Sequence, residues 1–291
     1  MTERDARAPV SVVIPTIGRP AQLRRCLESL ARCVPQPAEI VVVDQSGTDE
    51  VAEVVKRFEQ LGARVVRSNG RGVGLARNTG LFQARNDIVA MTDDDCTVAP
   101  TWIATAQRLA GSDPERIFTG RVLAGVEVDA GHVPSTRTDE VAHDFTGERS
   151  CDGLFSGNVV LPRRAALEMG GFDERLETAE DNDFGYRWLL EGRPMTFDPD
   201  LVVWHHDWRS PEELERLYVV YWRGQGTFYG KHLRRGDPTM LRFLARDLKK
   251  AVKATGERVL RRRPRWTDWR RGIMRGLPAG LVRGLLGRGP R

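Results

Sequence analysis

Ile88-Val89-Ala90-Met91-Thr92-Asp93-Asp94-Asp95-Cys96 is the stretch from which the rest of the chain can be read. A short apolar run feeding polar residues predicts a buried strand ending at the carboxyl edge of a sheet, where α/β folds bind ligands. Adjacent carboxylates repel one another, so three are kept together chiefly where a cation sits among them. Hard oxygen donors on a short loop suit Mg²⁺ or Mn²⁺, which share their remaining positions between water and substrate phosphates. The bland alternative is a solvated acidic turn that caps a helix starting at Pro100 or Thr101.

Upstream, the β-branched run Val10-Ser11-Val12-Val13-Ile14, stopped by Pro15, predicts the first buried strand. A turn leads to Pro20, and Leu23, Leu27 and Leu30 then repeat at helical spacing. Ile40-Val41-Val42-Val43 predicts a second strand ending on Asp44; Ser46-Gly47-Thr48-Asp49 reads as a turn with an N-cap. Val51, Val54, Val55, Phe58 and Leu61 give a helical face closed by Gly62. Arg64-Val65-Val66-Arg67 is a third strand, followed by a glycine-rich turn and a helix through Leu75, Asn78 and Phe82. Strand and helix alternating in this way predict a Rossmann-like, mostly parallel, doubly wound sheet flanked by helices. Gly72-Val73-Gly74-Leu75-Ala76-Arg77 places Arg where a dinucleotide fingerprint needs its third Gly, and no P-loop is present.

Downstream, Ile117 to Val122 predicts a strand, Gly131 to Arg149 a long polar loop, and Leu154 to Leu161 a strand with a break at Gly157-Asn158. A helix over Pro162 to Met169 stops at Gly170-Gly171. Thr178-Ala179-Glu180-Asp181 matches a capping pattern, yet Glu180, Asp181 and Asp183 are more acids than one cap requires. A helix dipole favours Glu180 and Asp183 there, leaving one carboxylate to act as a general base. After the helix carrying Phe184, Trp188 and Leu189, the strand Leu201-Val202-Val203-Trp204 runs into His205-His206. One of these imidazoles could complete a metal shell begun by Asp95.

The 291 residues, 40% hydrophobic and 29% charged, describe a globular protein with room for one large α/β domain and an appendage. No apolar stretch approaches a membrane span, and the charged start, Met1 to Arg7, is unlike a secretory signal, so a cytoplasmic location is expected. Cys26, Cys33, Cys96 and Cys151 lack zinc-site spacing and read as reduced thiols. Charge is unevenly spread: residues 211–291 carry 21 Lys/Arg against 7 Asp/Glu, a balance of +14, while residues 1–210 balance to −9. The tail places Leu244, Leu248 and Val252 among Arg242, Arg246, Lys249, Lys250 and Lys253, followed by Arg261-Arg262-Arg263-Pro264-Arg265-Trp266. That pattern suits an interfacial helix on anionic lipid, at the inner face of a membrane. No nucleic-acid module accompanies the charge.

Taken in order, Ser11-Val12-Val13-Ile14-Pro15-Thr16, Val42-Val43-Asp44, Gly74-Leu75-Ala76-Arg77-Asn78, Asp93-Asp94-Asp95, Gly157-Asn158, Gly171-Phe172-Asp173-Glu174 and Glu180-Asp181-Asn182-Asp183-Phe184 resemble the family 2 glycosyltransferases of the GT-A fold. The likeness covers residues 9 to 210, giving a GT-A domain over 1–210 and a basic helical extension over 211–291.

The resemblance implies a metal-dependent, inverting transfer of sugar from a nucleoside-diphosphate sugar to an acceptor hydroxyl, on a lipid-linked or saccharide molecule. It places Asp44 on the nucleobase, with Pro15, Thr16 and Arg19 walling that pocket, and Arg77 near base or phosphates. Asp93 faces the ribose, Asp94 fills the variable middle position of the nucleotide site, and Asp95 meets Mg²⁺ or Mn²⁺ with His205 or, failing it, His206. Asp181 is the implied base, Glu180 orients the acceptor, and Gly157 and Asn158 lie at the sugar. The rivals are a retaining transferase or nucleotidyltransferase of similar fold, and a silent sugar-nucleotide or membrane-surface binding protein.

Overall fold

In the computed structural model, residues 7–125, 136–206, 211–261 and 269–287 are described. The apolar runs form strands: β1 (Ala8–Thr16), β2 (Pro37–Asp44), β3 (Ala63–Arg67) and β4 (Ile88–Thr92), joined by helices α1 (Pro20–Leu30), α2 (Glu50–Lys56) and α3 (Val73–Gln83). β5 (Cys96–Val98), α4 (Trp102–Ser112), β6 (Ile117–Ala124), β7 (His143–Asp144), β8 (Asn158–Pro162), α5 (Arg163–Glu168), α6 (Glu180–Leu190) and β9 (Met195–His205) follow. The sheet runs β3-β2-β1-β4-β8-β6-β9-β5, with β7 on β9.

The expected parallel order holds through β3, β2, β1 and β4. Beyond β4 the sheet is mixed: β8 is antiparallel to β4 and β6, β6 is parallel to β9, and β5 and β7 are antiparallel to β9. No short helical crossover links β4 to β8, so nothing dictates a parallel return. Alternate side chains feed two cores. Val10, Val12 and Ile14 of β1 pack with Leu23, Leu27, Val51 and Trp102, whereas Val13 packs with Leu81, Phe184 and Trp188. With both faces covered, strands read as unbroken apolar runs.

Several boundaries differ from expectation. β1 continues through Pro15 to Thr16, because its ladder to β4 ends at Val13 and a missing N–H is tolerated beyond it. Leu154 to Gly157 lie outside β8, β9 starts at Met195 rather than Leu201, and three-residue β5 is too short to show a period. Of the long loop, residues 126–135 lie outside the described set, and His143–Asp144 form β7. Met1 to Ala6 and Arg262 to Asp268, which include most of the arginine run, also lie outside it.

The chain divides into two compact units, one of Met1–Phe172 with Phe184–Asp207, the other of Asp173–Asp183 with Trp208–Arg291. The second therefore takes in the acidic segment that the sequence reading places in the first. Besides that segment it contains α7 (Pro211–Arg234), α8 (Thr239–Arg261) and α9 (Trp269–Leu286). Gly272, Gly276, Gly280 and Gly284 line one face of α9 against α7. A Cβ at Gly276, Gly280 or Gly284 would lie 2.3, 1.9 or 2.2 Å from the carbonyl oxygens of Val219, Arg223 and Thr227. Only glycine lets the two backbones approach so closely.

Candidate functional site

At the carboxyl edge of the first unit, Thr16 and Asp44 stand side by side as the last paired residues of β1 and β2. Asp44 is buried; its Oδ1 accepts the Ser46 N–H at 2.8 Å, while Oδ2 has no hydrogen-bond partner among the described residues. Asp49 occupies the N-cap position of α2, but its carboxylate pairs with Arg67 and makes no side-chain cap. Gln45, which the sequence reading passes over, brackets Gly72: Nε2 donates to its carbonyl at 3.1 Å and Oε1 accepts its N–H at 3.2 Å. Gly72 has φ +126°, a conformation that favours glycine, so the side-chain clamp holds the turn that opens α3.

The three carboxylates occupy the turn between β4 and β5. Each carboxylate has a basic partner. Asp94, wholly buried, accepts from Thr16 Oγ1 at 2.6 Å and Arg19 Nε at 3.0 Å. Asp95 Oδ2 accepts from Arg19 Nη1 at 2.9 Å, and Asp93 Oδ1 from buried Arg77 Nη2 at 2.8 Å. Burial pushes the Asp94 carboxyl up to about 7, against the opposing pull of Arg19, with Asp95 adding repulsion. The solvated capping turn is excluded: Asp94 is the most buried of the three, and α4 begins only at Trp102 with no side-chain cap.

Pairing of β5 with β9 sets Cys96 opposite His205, and His205 Nε2 lies 3.6 Å from Asp95 Oδ1. His206 instead meets Thr97 Oγ1 at 2.9 Å through Nε2. His205 is thus the imidazole beside the carboxylates. Among the described residues no group of three His, Cys, Asp or Glu side chains forms a cage for a metal. One carboxylate and one imidazole fit a divalent cation that takes the rest of its shell from diphosphate and water.

Asn158 requires a correction. Its Oδ1 accepts from Trp102 Nε1 at 2.9 Å and its Nδ2 donates to Arg121 O and Leu201 O, both at 2.8 Å. The buried amide ties α4, β6 and β9 to β8 and is not presented to a sugar. Gly157 borders the carboxylates instead: a Cβ there would sit 2.7 Å from Asp93 Oδ2.

In the second unit, the start of α6 sorts its acids. Asp183 is fully buried; Oδ1 accepts from Lys231 Nζ at 2.5 Å and His232 Nε2 at 2.9 Å. Glu180 is buried, and Asp181 is partly exposed, its Oδ1 accepting the Asn182 N–H at 2.8 Å. Thr178 does not cap α6; its hydroxyl donates to Val220 O at 3.2 Å. Asp183 is therefore structural, as the dipole argument expects. Lys231 and His232 lay beyond the motifs and carried no sequence signal of their own.

A sequence profile of the glycosyl transferase family 2 matches residues 11–166, more than half of the chain. The chain belongs to this family. Among curated relatives of this family 2 chain is the putative glycosyltransferase EpsH of Bacillus subtilis, 26% identical over 200 residues, spanning 65% of this chain and 58% of the relative. The chain spans about half the length of the curated relatives it matches. It has the GT-A fold. The mannosyltransferase PcManGT from Pyrobaculum calidifontis, solved with GDP-Man and Mn²⁺, superposes with a TM-score of 0.63 at 20% identity, covering 98% of this chain and 89% of that one. S. aureus TarS 1–349 with UDP gives 0.58 at 22% identity, covering 74% and 65%.

Proposed function

We propose that this family 2 chain transfers a sugar from a nucleoside-diphosphate sugar to an acceptor hydroxyl, with inversion at the anomeric carbon. The observation that carries this reading is Asp44 Oδ2, a buried carboxylate oxygen at a strand's carboxyl end that has no hydrogen-bond partner among the described residues. A buried acceptor left unpaired costs about 1–3 kcal/mol. A nucleobase N–H offsets that cost. With Oδ1 engaged by the Ser46 N–H, Oδ2 is the oxygen offered to the base, and a single contact there matches the N3–H of uracil or thymine. Pro15, Thr16 and Arg19 wall this pocket, Arg77 aligns Asp93 for the ribose, and Asp94 braces Arg19.

Asp95 and His205 would hold Mg²⁺ or Mn²⁺, which supplies charge against the diphosphate leaving group. Glu180 orients the acceptor. Its hydroxyl oxygen attacks the anomeric carbon opposite the leaving group, its proton passes to Asp181, and the electron pair of the broken C–O bond leaves with the diphosphate. Gly157, where a Cβ would meet Phe155 and Asp93, lets the Asp93 carboxylate take its place beside the donor.

The test is thermal denaturation with UDP, dTDP, CDP and GDP, each with and without Mn²⁺. UDP at about 100 times its dissociation constant should add about 2.7 kcal/mol of stability. Asp44→Asn should weaken UDP about tenfold, roughly 1.4 kcal/mol, and Asp95→Asn should remove the contribution of Mn²⁺. Stabilisation by none of the four overturns the transferase reading; preference for GDP overturns the assignment of the base. Product stereochemistry then separates inversion from retention, and pyrophosphate release identifies a nucleotidyltransferase.

We also propose an anionic membrane surface as partner of the basic extension. Leu241, Ala245, Leu248 and Val252 form an exposed apolar stripe on α8 beside exposed Arg242 and Lys249. Met274, Val282 and Leu285 do the same on α9. No described helix is long and apolar enough to cross a membrane. Apolar stripes edged with cations fit the interface.

A further inference from the structure

We propose that Lys231, assisted by His232, is a positioning residue for Asp181, and that α7 acts as a splint for the turn that presents this carboxylate. The inference rests on the reading of Asp181 as the base. It arises from the way residues 173–183 are held inside the second unit.

The segment lies along α7 and is tied to it repeatedly. Glu177 pairs with Arg223 at 2.7 Å, Thr178 donates to Val220 O at 3.2 Å, and Asn182 Nδ2 donates to Gln225 Oε1 at 2.8 Å. Gly224 makes the close approach workable, since a Cβ there would lie 1.9 Å from Thr178 Oγ1. At the far end Lys231 Nζ bridges two carboxylates, Asp183 Oδ1 at 2.5 Å and Asp173 Oδ2 at 2.7 Å. His232 Nε2 adds a second donor to Asp183, and Arg175 Nε pairs with Asp173 Oδ1 at 2.9 Å. Although partial burial opposes ionisation, Arg175 and Lys231 hold the Asp173 carboxyl well below the usual carboxylate range.

These contacts bracket Asp181 closely. Asp183 sits two residues after it and is buried without exposure, with Lys231 and His232 donating directly to its carboxylate. A buried charge stripped of its partner is strongly destabilising, which makes the pair a fixed point for the first turn of α6. Ala179, two residues before Asp181, has φ +63°, a left-handed conformation that a residue with a side chain keeps only when its surroundings impose it. The turn bearing Asp181 is therefore held on both sides by contacts rather than by its own preference. Lys231 bridges the Asp173 and Asp183 segments directly, so its loss should release the turn while leaving nucleotide binding in place.

The experiment uses the full chain and three readouts: amide hydrogen exchange at residues 179–184, affinity for UDP, and release of nucleoside diphosphate from UDP-glucose, UDP-N-acetylglucosamine and GDP-mannose with Mn²⁺, water serving as acceptor. In Lys231→Met, exchange at 179–184 should quicken at least tenfold and release should fall at least tenfold, with UDP affinity unchanged within twofold. Lys231→Arg, which keeps the charge, should restore most of the release. If Lys231→Met does not fold, the paired variant Lys231→Met with Asp183→Asn, in which Asp183 carries no charge, is read in the same way. Unchanged exchange, unchanged release, or a parallel loss of UDP affinity overturns the positioning role. Wild-type release by Asp181→Asn would overturn the base assignment alone, and the exchange data would then still judge the splint.

Discussion

In metal-free protein, Asp94 links stability to pH in the direction opposite to an ordinary paired carboxylate. Its carboxyl is pushed up to about 7 by burial, whereas an unfolded Asp titrates near ~3.9. A raised folded value means that the favourable contribution is complete below the unfolded value and is lost as pH rises through the folded one. In EDTA, the melting temperature should therefore rise on going from pH 8 to pH 6, with a slope of at most about 1.4 kcal/mol per pH unit from this group. Asp94→Asn should flatten the slope; a variant that keeps it would place the titrating group elsewhere. The positions of Asp44 and of the Asp93-Asp94-Asp95 turn were legible in the sequence because they close the apolar runs of β2 and β4, whereas Arg19 entered only through the family resemblance. Asn158, Gln45 and Lys231 were not, because their tasks are set by partners 27 to 56 residues away or by the register of a sheet.

At the scale of elements, the α7–α9 pair gives a sharp test. Gly280→Leu would force a side chain into Arg223 O and should lower the stability of the full chain by about 2–3 kcal/mol or more in urea denaturation. Met274→Ala, on the exposed face of the same helix, should stay within about 0.5 kcal/mol of the wild type. Equal losses would show that backbone proximity is not what the glycines secure. Their spacing of four was visible in the sequence, but a helix pair is specified by two sequences and a register, and neither period alone names the partner. The early strands were legible for the converse reason, since composition and length suffice for a buried strand. β5 has three residues and owes its existence to pairing with β9.

At the scale of the molecule, the imbalance of +14 over residues 211–291 against −9 before them orients any encounter with an anionic surface. Vesicles containing phosphatidylglycerol should sediment the protein at low salt, vesicles of phosphatidylcholine should not, and the paired substitution Leu248→Glu with Val252→Glu should abolish sedimentation while circular dichroism is unchanged. Binding that survives this change would be charge attraction without insertion. The alternating first half of the fold was legible from strand and helix order, because short crossovers restrict topology severely. The mixed second half was not, since its long connections leave strand direction to tertiary packing.

That mixed half also sets a schedule. Asp95 meets His205 only because β5 pairs with a strand that lies about 110 residues further along the chain. A ribosome adding roughly 5–20 residues per second needs roughly 5–20 s to supply that strand after making the carboxylates. During this interval β1 to β4 can pair while the acidic turn waits without its histidine. The candidate metal site is then among the last features of the sheet to assemble, and a nascent chain arrested before β9 would be folded at one end and blind to the cation.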